Sequence, residues 1–238
     1  MKTLTMELLL NYDYTKSTVD AYNVNSLVKN ILESGNEVDF AIAYNKKLLR
    51  EIKDYDSFRV NEQLYYTLLP KYQNSILDDI LKEISDRKSD FWYFGGKDLG
   101  CGDSFGAGPL FQCNIDVIKK ACLQESKGCL PYRLAYLAPV FDYSDKDETS
   151  FSQLFYWLLD HFDSFKEQEA ILSEFSSNIG SYSWVGSIIP LLEKKIKCFK
   201  KLEHHANPMG MKWVDENIMS LSEQLRREQN AESYRKLC

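Results

Sequence analysis

The fold is decided by residues 184–227, which read WVGSIIPLLEKKIKCFKKLEHHANPMGMKWVDENIMSLSEQLRR. Asn207-Pro208 predicts a helix start, because asparagine caps a helix N-terminus and proline suits the first helical position. Beyond that point apolar residues recur at helical spacing, at Val214, Ile218, Leu221 and Leu225. The pattern predicts an amphipathic last helix that needs a partner face.

A second amphipathic helix is predicted just before it, from about Trp184 to His204. Its apolar face consists of Val185, Ile188, Leu192, Ile196, Phe199 and Leu202. Only a few residues separate the two helices, and so short a connection predicts an antiparallel pair. The other positions carry Lys194, Lys195, Lys197, Lys200 and Lys201, a run more typical of a solvated helix face than of a polyanion site.

Similar helix signals continue toward the N-terminus. An apolar stripe over 24–32 ends at Gly35, a good C-cap residue, and Asn36 can cap the next helix. Pro70 is expected to stop a third helix, and Asn74 to cap a fourth. Further helices are expected from 115, over 132–140, over 151–162, and after a Ser164–Glu167 capping box.

This succession of about ten helices with few strand signals predicts an all-α chain. The favoured architecture is an α-solenoid of antiparallel helix pairs, and the alternative is a compact helical bundle. One segment breaks the pattern: residues 91–109, FWYFGGKDLGCGDSFGAGP, hold six of the eleven glycines. We therefore expect one domain over 1–238, with subblocks 1–90 and 110–238 joined by a long glycine-rich loop.

Composition limits the class of protein. The 35 acidic residues exceed the 29 basic ones, giving a net charge of -6, so a nucleic-acid partner is disfavoured. No uninterrupted apolar run reaches the ~18 residues of a membrane span, and we identify no signal peptide. The six cysteines form no C-x-x-C pair, which indicates free thiols in a cytoplasmic protein and no metal site.

The glycine-rich segment is the one place that invites a catalytic hypothesis. Gly95-Gly96-Lys97-Asp98 lacks the serine or threonine of a P-loop, and no hydrophobic strand precedes it. Cys101 lies near acidic residues that oppose thiolate formation. We predict no catalytic residue and no cofactor; a nucleotide-binding or enzymatic site over 95–108 is kept as the alternative.

A recognition loop is a further interpretation of this segment, because large aromatic anchors beside glycines suit an adaptable binding surface. Those aromatic side chains could instead seal the core. The candidate partner-binding residues are Trp92, Tyr93, Phe94, Lys97, Asp98, Asp103 and Phe105.

The last sixty or so residues resemble the terminal helical pair of HEAT- or armadillo-like repeat proteins from bacterial defence and immunity loci. The resemblance rests on Trp184, Gly186, Pro190, Glu193, Asn207, Pro208 and Trp213. Met211-Lys212 and Val214-Asp215 depart from the pattern around the tryptophan. The resemblance implies a non-catalytic scaffold that binds a protein partner, such as a toxin or a subunit of an anti-phage complex, and that is either a whole small protein or the end of a longer one. Trp213 is expected in the core.

Overall fold

The computed structural model describes residues 2–13, 18–53, 55–86, 88–94, 99–100, 107–125, 129–142, 149–179, 186–202 and 208–235. The side chains at 2, 18–21, 55–60, 62, 92, 94, 208 and 209 are outside this description. Within these ranges the chain is helical apart from one short β pair, so the all-α prediction is confirmed.

The described residues form two compact units that divide after Leu137. The division of one domain into subblocks 1–90 and 110–238 stays a prediction. The first unit contains α1 (Lys2–Leu10), α2 (Thr18–Ser34), α3 (Val38–Glu51), α4 (Tyr55–Ser85), α5 (Phe91–Phe94), a 3₁₀ turn (Pro109–Gln112), α6 (Ile115–Gln124) and α7 (Leu130–Leu137).

Helix α4 runs without interruption through Pro70, so the prediction of two helices separated at that residue is wrong. Proline removes one amide donor from a helix, but Pro70 is exposed. Apolar side chains on both sides of it are buried, at Leu68, Leu69, Tyr72 and Ile76. Packing of α2 and α3 against α4 therefore outweighs the local preference of proline to end a helix.

The C-terminus of α2 is capped from α4. The Tyr72 hydroxyl donates to the Leu32 carbonyl at 2.9 Å, and the Lys71 ammonium donates to the Glu33 carbonyl at 3.1 Å. Helix α2 ends just before Gly35, as predicted. The predicted cap at Asn36 is wrong, because α3 begins one residue later, after Glu37, whose side chain makes no capping bond.

The second unit begins with an antiparallel β pair in which Phe141 faces Phe151. The predicted helix over 151–162 therefore starts later, where Ser152 accepts a hydrogen bond from the Phe155 amide. The elements of this unit are β1 (Phe141–Asp142), β2 (Ser150–Phe151), α8 (Gln153–His161), α9 (Phe165–Ile179), α10 (Ile189–Leu202) and α11 (Pro208–Arg235).

The final helical pair is confirmed. Helix α11 begins at Pro208, and α10 and α11 pack against each other. Helix α10 begins at Ile189, later than the predicted start at Trp184. At 1.5 Å per residue, the 28 residues of α11 span roughly twice the length of the 14 residues of α10. In the described part of α11, no residue after Leu221 is buried.

Aromatic rings form the core of the second unit. Trp213 is only 7% exposed, as expected, and its ring centroid lies 5.8 Å from Phe155 and 5.2 Å from Phe199. Phe151 stacks on Phe155 at 4.4 Å. Because these rings come from β2, α8, α10 and α11, one cluster ties the short β pair to the helices.

Candidate functional site

Helix α5 carries the predicted aromatic anchors, and its described side chains divide between core and surface. Phe91 is buried and packs edge-on against Tyr65, with ring centroids 6.3 Å apart. Tyr93 is 60% exposed. The side chains of Trp92 and Phe94 are outside the described residues. The two interpretations of this segment therefore each fit one residue, since Phe91 seals the core and Tyr93 is on the surface.

Two glycines of the same segment are packed tightly against backbone. A Cβ atom on Gly100 would lie 2.0 Å from the Leu137 carbonyl oxygen, and one on Gly108 would lie 2.4 Å from that of Leu99. The Gly108 amide donates to the Gly100 carbonyl at 2.6 Å. The expected long glycine-rich loop is not confirmed at these positions, because both glycines are buried where no side chain fits.

The remaining predicted partner-binding residues are Lys97, Asp98, Asp103 and Phe105, and they lie outside the described residues. Trp184 and Asn207 of the tail motif also lie outside them. Gly186 has a φ of +90° with open space around it, and Pro190 and Glu193 are exposed on α10. Among the side chains of the tail motif that the structure describes, Trp213 is therefore the one that contributes to the core.

Sequence reasoning missed a solvent-open cleft between α9 and α11, with a volume of about 220 Å³. Leu172 and Trp213 line it and are themselves buried. The indole N–H of Trp213 donates to the Ser176 hydroxyl at 2.8 Å, and that hydroxyl donates to the Leu172 carbonyl at 2.8 Å. The polar groups in the floor of the α9–α11 cleft are thus already paired.

Charged side chains surround this floor. Glu169 lines the cleft from α9, and Lys212 and Glu216 line it from α11. The Lys212 ammonium lies 3.8 Å from the Glu216 carboxylate, and no ion pair to Glu169 occurs among the residues that the structure describes. Helical spacing is the signal in the sequence, because Glu169 lies three residues before the buried Leu172 and Glu216 lies three residues after the buried Trp213.

Lys195 was expected on the solvated lysine face, and this prediction is wrong. Its side chain is completely buried, and its amine donates to the Ile179 carbonyl, at the last residue of α9, at 2.7 Å. The amine also lies 5.1 Å from the centroid of the Phe141 ring. Burial lowers the pKa of Lys195 to about 7, because a charged amine is poorly solvated in an apolar core. The contacts favour a structural role in capping α9.

The described residues offer little for metal or thiol chemistry. No group of three or more histidine, cysteine or acidic side chains within the described ranges is placed to hold a metal ion. Cys113, Cys122, Cys129 and Cys198 are free thiols. Burial raises the pKa of Cys113 to about 11 and that of Cys122 to about 12, which keeps both thiols protonated at neutral pH.

Comparisons of the chain with protein-family models, curated proteins and solved structures find no match. The resemblance of the tail to defence-associated helical repeats therefore stays a prediction. In the described part of the chain, no helix is both long and apolar enough to cross a membrane.

Proposed function

We propose that this chain is a non-catalytic module that binds another protein. The supporting observation is Tyr93, whose side chain is 60% exposed although its neighbour Phe91 is buried. An exposed tyrosine next to an anchored residue loses little conformational entropy on binding, and tyrosine is enriched among the residues that dominate binding energy.

The proposal includes a biological role, which rests on the resemblance of the tail to defence-associated helical repeats. In this role the chain is a cytoplasmic immunity or anti-phage defence component that binds a toxin or a subunit of a defence complex. A HEAT-like α-solenoid belongs to the same proposal. Small-angle X-ray scattering tests that architecture against the compact bundle, since a compact chain of this length has a radius of gyration of about 18 Å and a stacked array has a larger one.

The experiment for the binding function is affinity capture from the native host with three proteins: wild type, Tyr93→Ala and Tyr22→Ala. Tyr22 is the matched control, because it also lies in the first unit and is 58% exposed. We expect one partner to be retained by wild type and Tyr22→Ala and lost by Tyr93→Ala. With the purified partner, the loss should be about tenfold or more in Kd.

A partner that binds both variants equally would contradict a binding surface at Tyr93. The nucleotide-binding alternative is tested in parallel by thermal shift with ATP and GTP. A nucleotide at 100 times its Kd should stabilise the fold by about 2.7 kcal/mol. A shift of that size with no captured protein would replace the proposal, although the packing of Gly100 and Gly108 already accounts for two of the glycines that suggested a phosphate site.

A further inference from the structure

Helix α3 packs into the first unit through a buried face that is only half apolar. The buried side chains of this helix are Phe40, Ala41, Tyr44, Asn45, Lys47 and Leu48. Three of the six, Tyr44, Asn45 and Lys47, carry a polar or charged group. Burial of such a group is unfavourable unless a hydrogen-bond partner replaces the water that it loses. The partners of these three groups therefore decide how firmly α3 is held.

Two of the three side chains lose water without gaining a partner. Tyr44 and Asn45 are completely buried in α3. Among the described residues, neither the Tyr44 hydroxyl nor either polar atom of the Asn45 amide has a hydrogen-bond partner. Water can reach both groups when α3 separates from the rest of the unit. The closed position of α3 therefore carries a free-energy penalty that its open position does not.

The third side chain, Lys47, joins α3 to the end of α1. Its ammonium donates to the carbonyl of Tyr12, two residues after α1, and also donates to the carboxylate of Glu51 on α3, at 2.6 Å. Helix α1 also packs against α3. A movement of α3 is therefore expected to carry α1 with it.

Helix α2 is held in a different way, because polar groups of α4 bind its end. The Tyr72 hydroxyl and the Lys71 ammonium donate to backbone carbonyls at the C-terminus of α2. Tyr72 is 3% exposed, so its hydroxyl is buried and paired, whereas that of Tyr44 is buried and unpaired. The contrast predicts that α2 stays on α4 under conditions in which α3 leaves.

We infer that α3, together with α1, opens from the first unit by local unfolding while α2 remains packed on α4. Elements that move during binding or regulation come from the least stable parts of a fold. A partner that binds only the open or only the closed form shifts the balance between the two. The inference does not involve Tyr93, so it can fail or succeed independently of the proposed protein-binding function.

The experiment is amide hydrogen exchange of the full chain, followed by mass spectrometry, in a series of urea concentrations below the unfolding transition. Relative to the rates of an unstructured chain, amides in 38–51 should exchange about tenfold or more faster than those in 64–77 of α4. Exchange of α3 should also depend less on urea, because local opening exposes less surface than global unfolding. Amides of α1 should exchange no more slowly than those of α3. Equal protection and equal urea dependence of α3 and α4 would overturn the inference.

Two tyrosine variants then test the cause of the opening. Tyr44→Phe removes the unpaired hydroxyl and should slow the exchange of α3 about tenfold. Tyr72→Phe is the matched control, because it removes a buried hydroxyl that donates to the Leu32 carbonyl at 2.9 Å. It should speed the exchange of α2 about fivefold and leave that of α3 nearly unchanged.

Two results with these variants would also overturn the inference. Unchanged or faster exchange of α3 in Tyr44→Phe would mean that the hydroxyl is satisfied in the closed position. Equal acceleration of α2 and α3 in Tyr72→Phe would mean that the two helices open together.

Discussion

The indole N–H of Trp213 donates a 2.8 Å hydrogen bond to the hydroxyl of Ser176, 37 residues earlier in the chain. This bond joins α11 to α9 at the cleft, while the rest of the Trp213 ring packs into the aromatic core. Trp213→Ala should lower the free energy of unfolding by about 3–5 kcal/mol, because it leaves a large cavity. Guanidinium denaturation measures this change.

Ser176→Ala separates the hydrogen bond from the packing. It keeps the indole in place and should cost only about 1 kcal/mol. An unchanged denaturation midpoint for Trp213→Ala would mean that the indole does not support the core, and it would remove the basis of the α9–α11 cleft as a formed surface.

Gly100→Ala should destabilise the first unit severely, by about 3 kcal/mol or more. The new Cβ atom would lie 2.0 Å from the Leu137 carbonyl oxygen. Because that oxygen belongs to the backbone, the backbone at Gly100 or at Leu137 must shift to make room. Gly186→Ala is the comparison, because its φ is +90° but nothing lies within 4 Å of the added atom. Backbone strain alone should cost about 1–2 kcal/mol there. Thermal melts of both variants test this ranking, and equal losses would contradict it.

Lys195→Met should change how stability depends on pH. The pKa of Lys195 is lowered by burial to about 7, whereas a lysine in the unfolded chain has a pKa of about 10.4. Between these values the unfolded chain binds more protons at this site, so its contribution to stability rises with pH. The slope from this group can reach ~1.4 kcal/mol per pH unit.

Denaturation of wild type and Lys195→Met at pH 7, 8 and 9 isolates this slope as the difference between the two proteins. Lys197→Met is the control, because Lys197 is exposed on the same helix. A wild-type curve parallel to that of Lys195→Met would show that the amine does not change its protonation in this range.

Pro70→Ala should stabilise the chain by about 1–2 kcal/mol. The substitution supplies the amide that α4 lacks at this position, and part of the gain is offset by a more flexible unfolded chain. Asn74→Ala, at another exposed position of α4, should gain less than ~0.7 kcal/mol from helix propensity alone. A lower melting temperature for Pro70→Ala would show that the proline shapes the packing of α4 against α2 and α3.

Asn45→Leu should also stabilise the chain, by about 1–3 kcal/mol. Asn45 is completely buried in α3, and neither atom of its amide finds a hydrogen-bond partner among the described residues. Leucine has a similar size without the unmet polar atoms. Asn45→Ala, which leaves a cavity, should not give the same gain. A destabilised Asn45→Leu, measured by urea denaturation, would mean that the amide is satisfied in solution.

The sequence predicted elements whose signals are local. Asn207-Pro208 marked the start of α11, and Ser164 with Glu167 marked that of α9, where the Glu167 amide donates to the Ser164 hydroxyl at 3.4 Å. The predicted helix end at Pro70 was wrong, because the apolar side chains of α4 pack against α2 and α3. A local sequence pattern does not show these contacts.

At the candidate surfaces too, the sequence did not predict contacts between residues that are far apart in the chain. In the sequence, Lys195 is one of five lysines between residues 194 and 201 and was predicted to be solvated. Its burial follows from the packing of α10 against the end of α9, where the Lys195 amine donates to the Ile179 carbonyl. The cleft was missed because Glu169 and Glu216 are far apart in sequence and come together only when α9 packs on α11. The burial of Trp213 was predicted, since tryptophan side chains are highly buried on average.

The close packing of Gly100 and Gly108 has an evolutionary consequence. Any chain that keeps this arrangement must keep glycine at both positions, since the space for a side chain is taken by the carbonyls of Leu137 and Leu99. An exposed residue such as Tyr93 is under no such steric constraint. Distant descendants of the same ancestor should therefore be recognised by this pair of glycines, even after the surface has become unrecognisable.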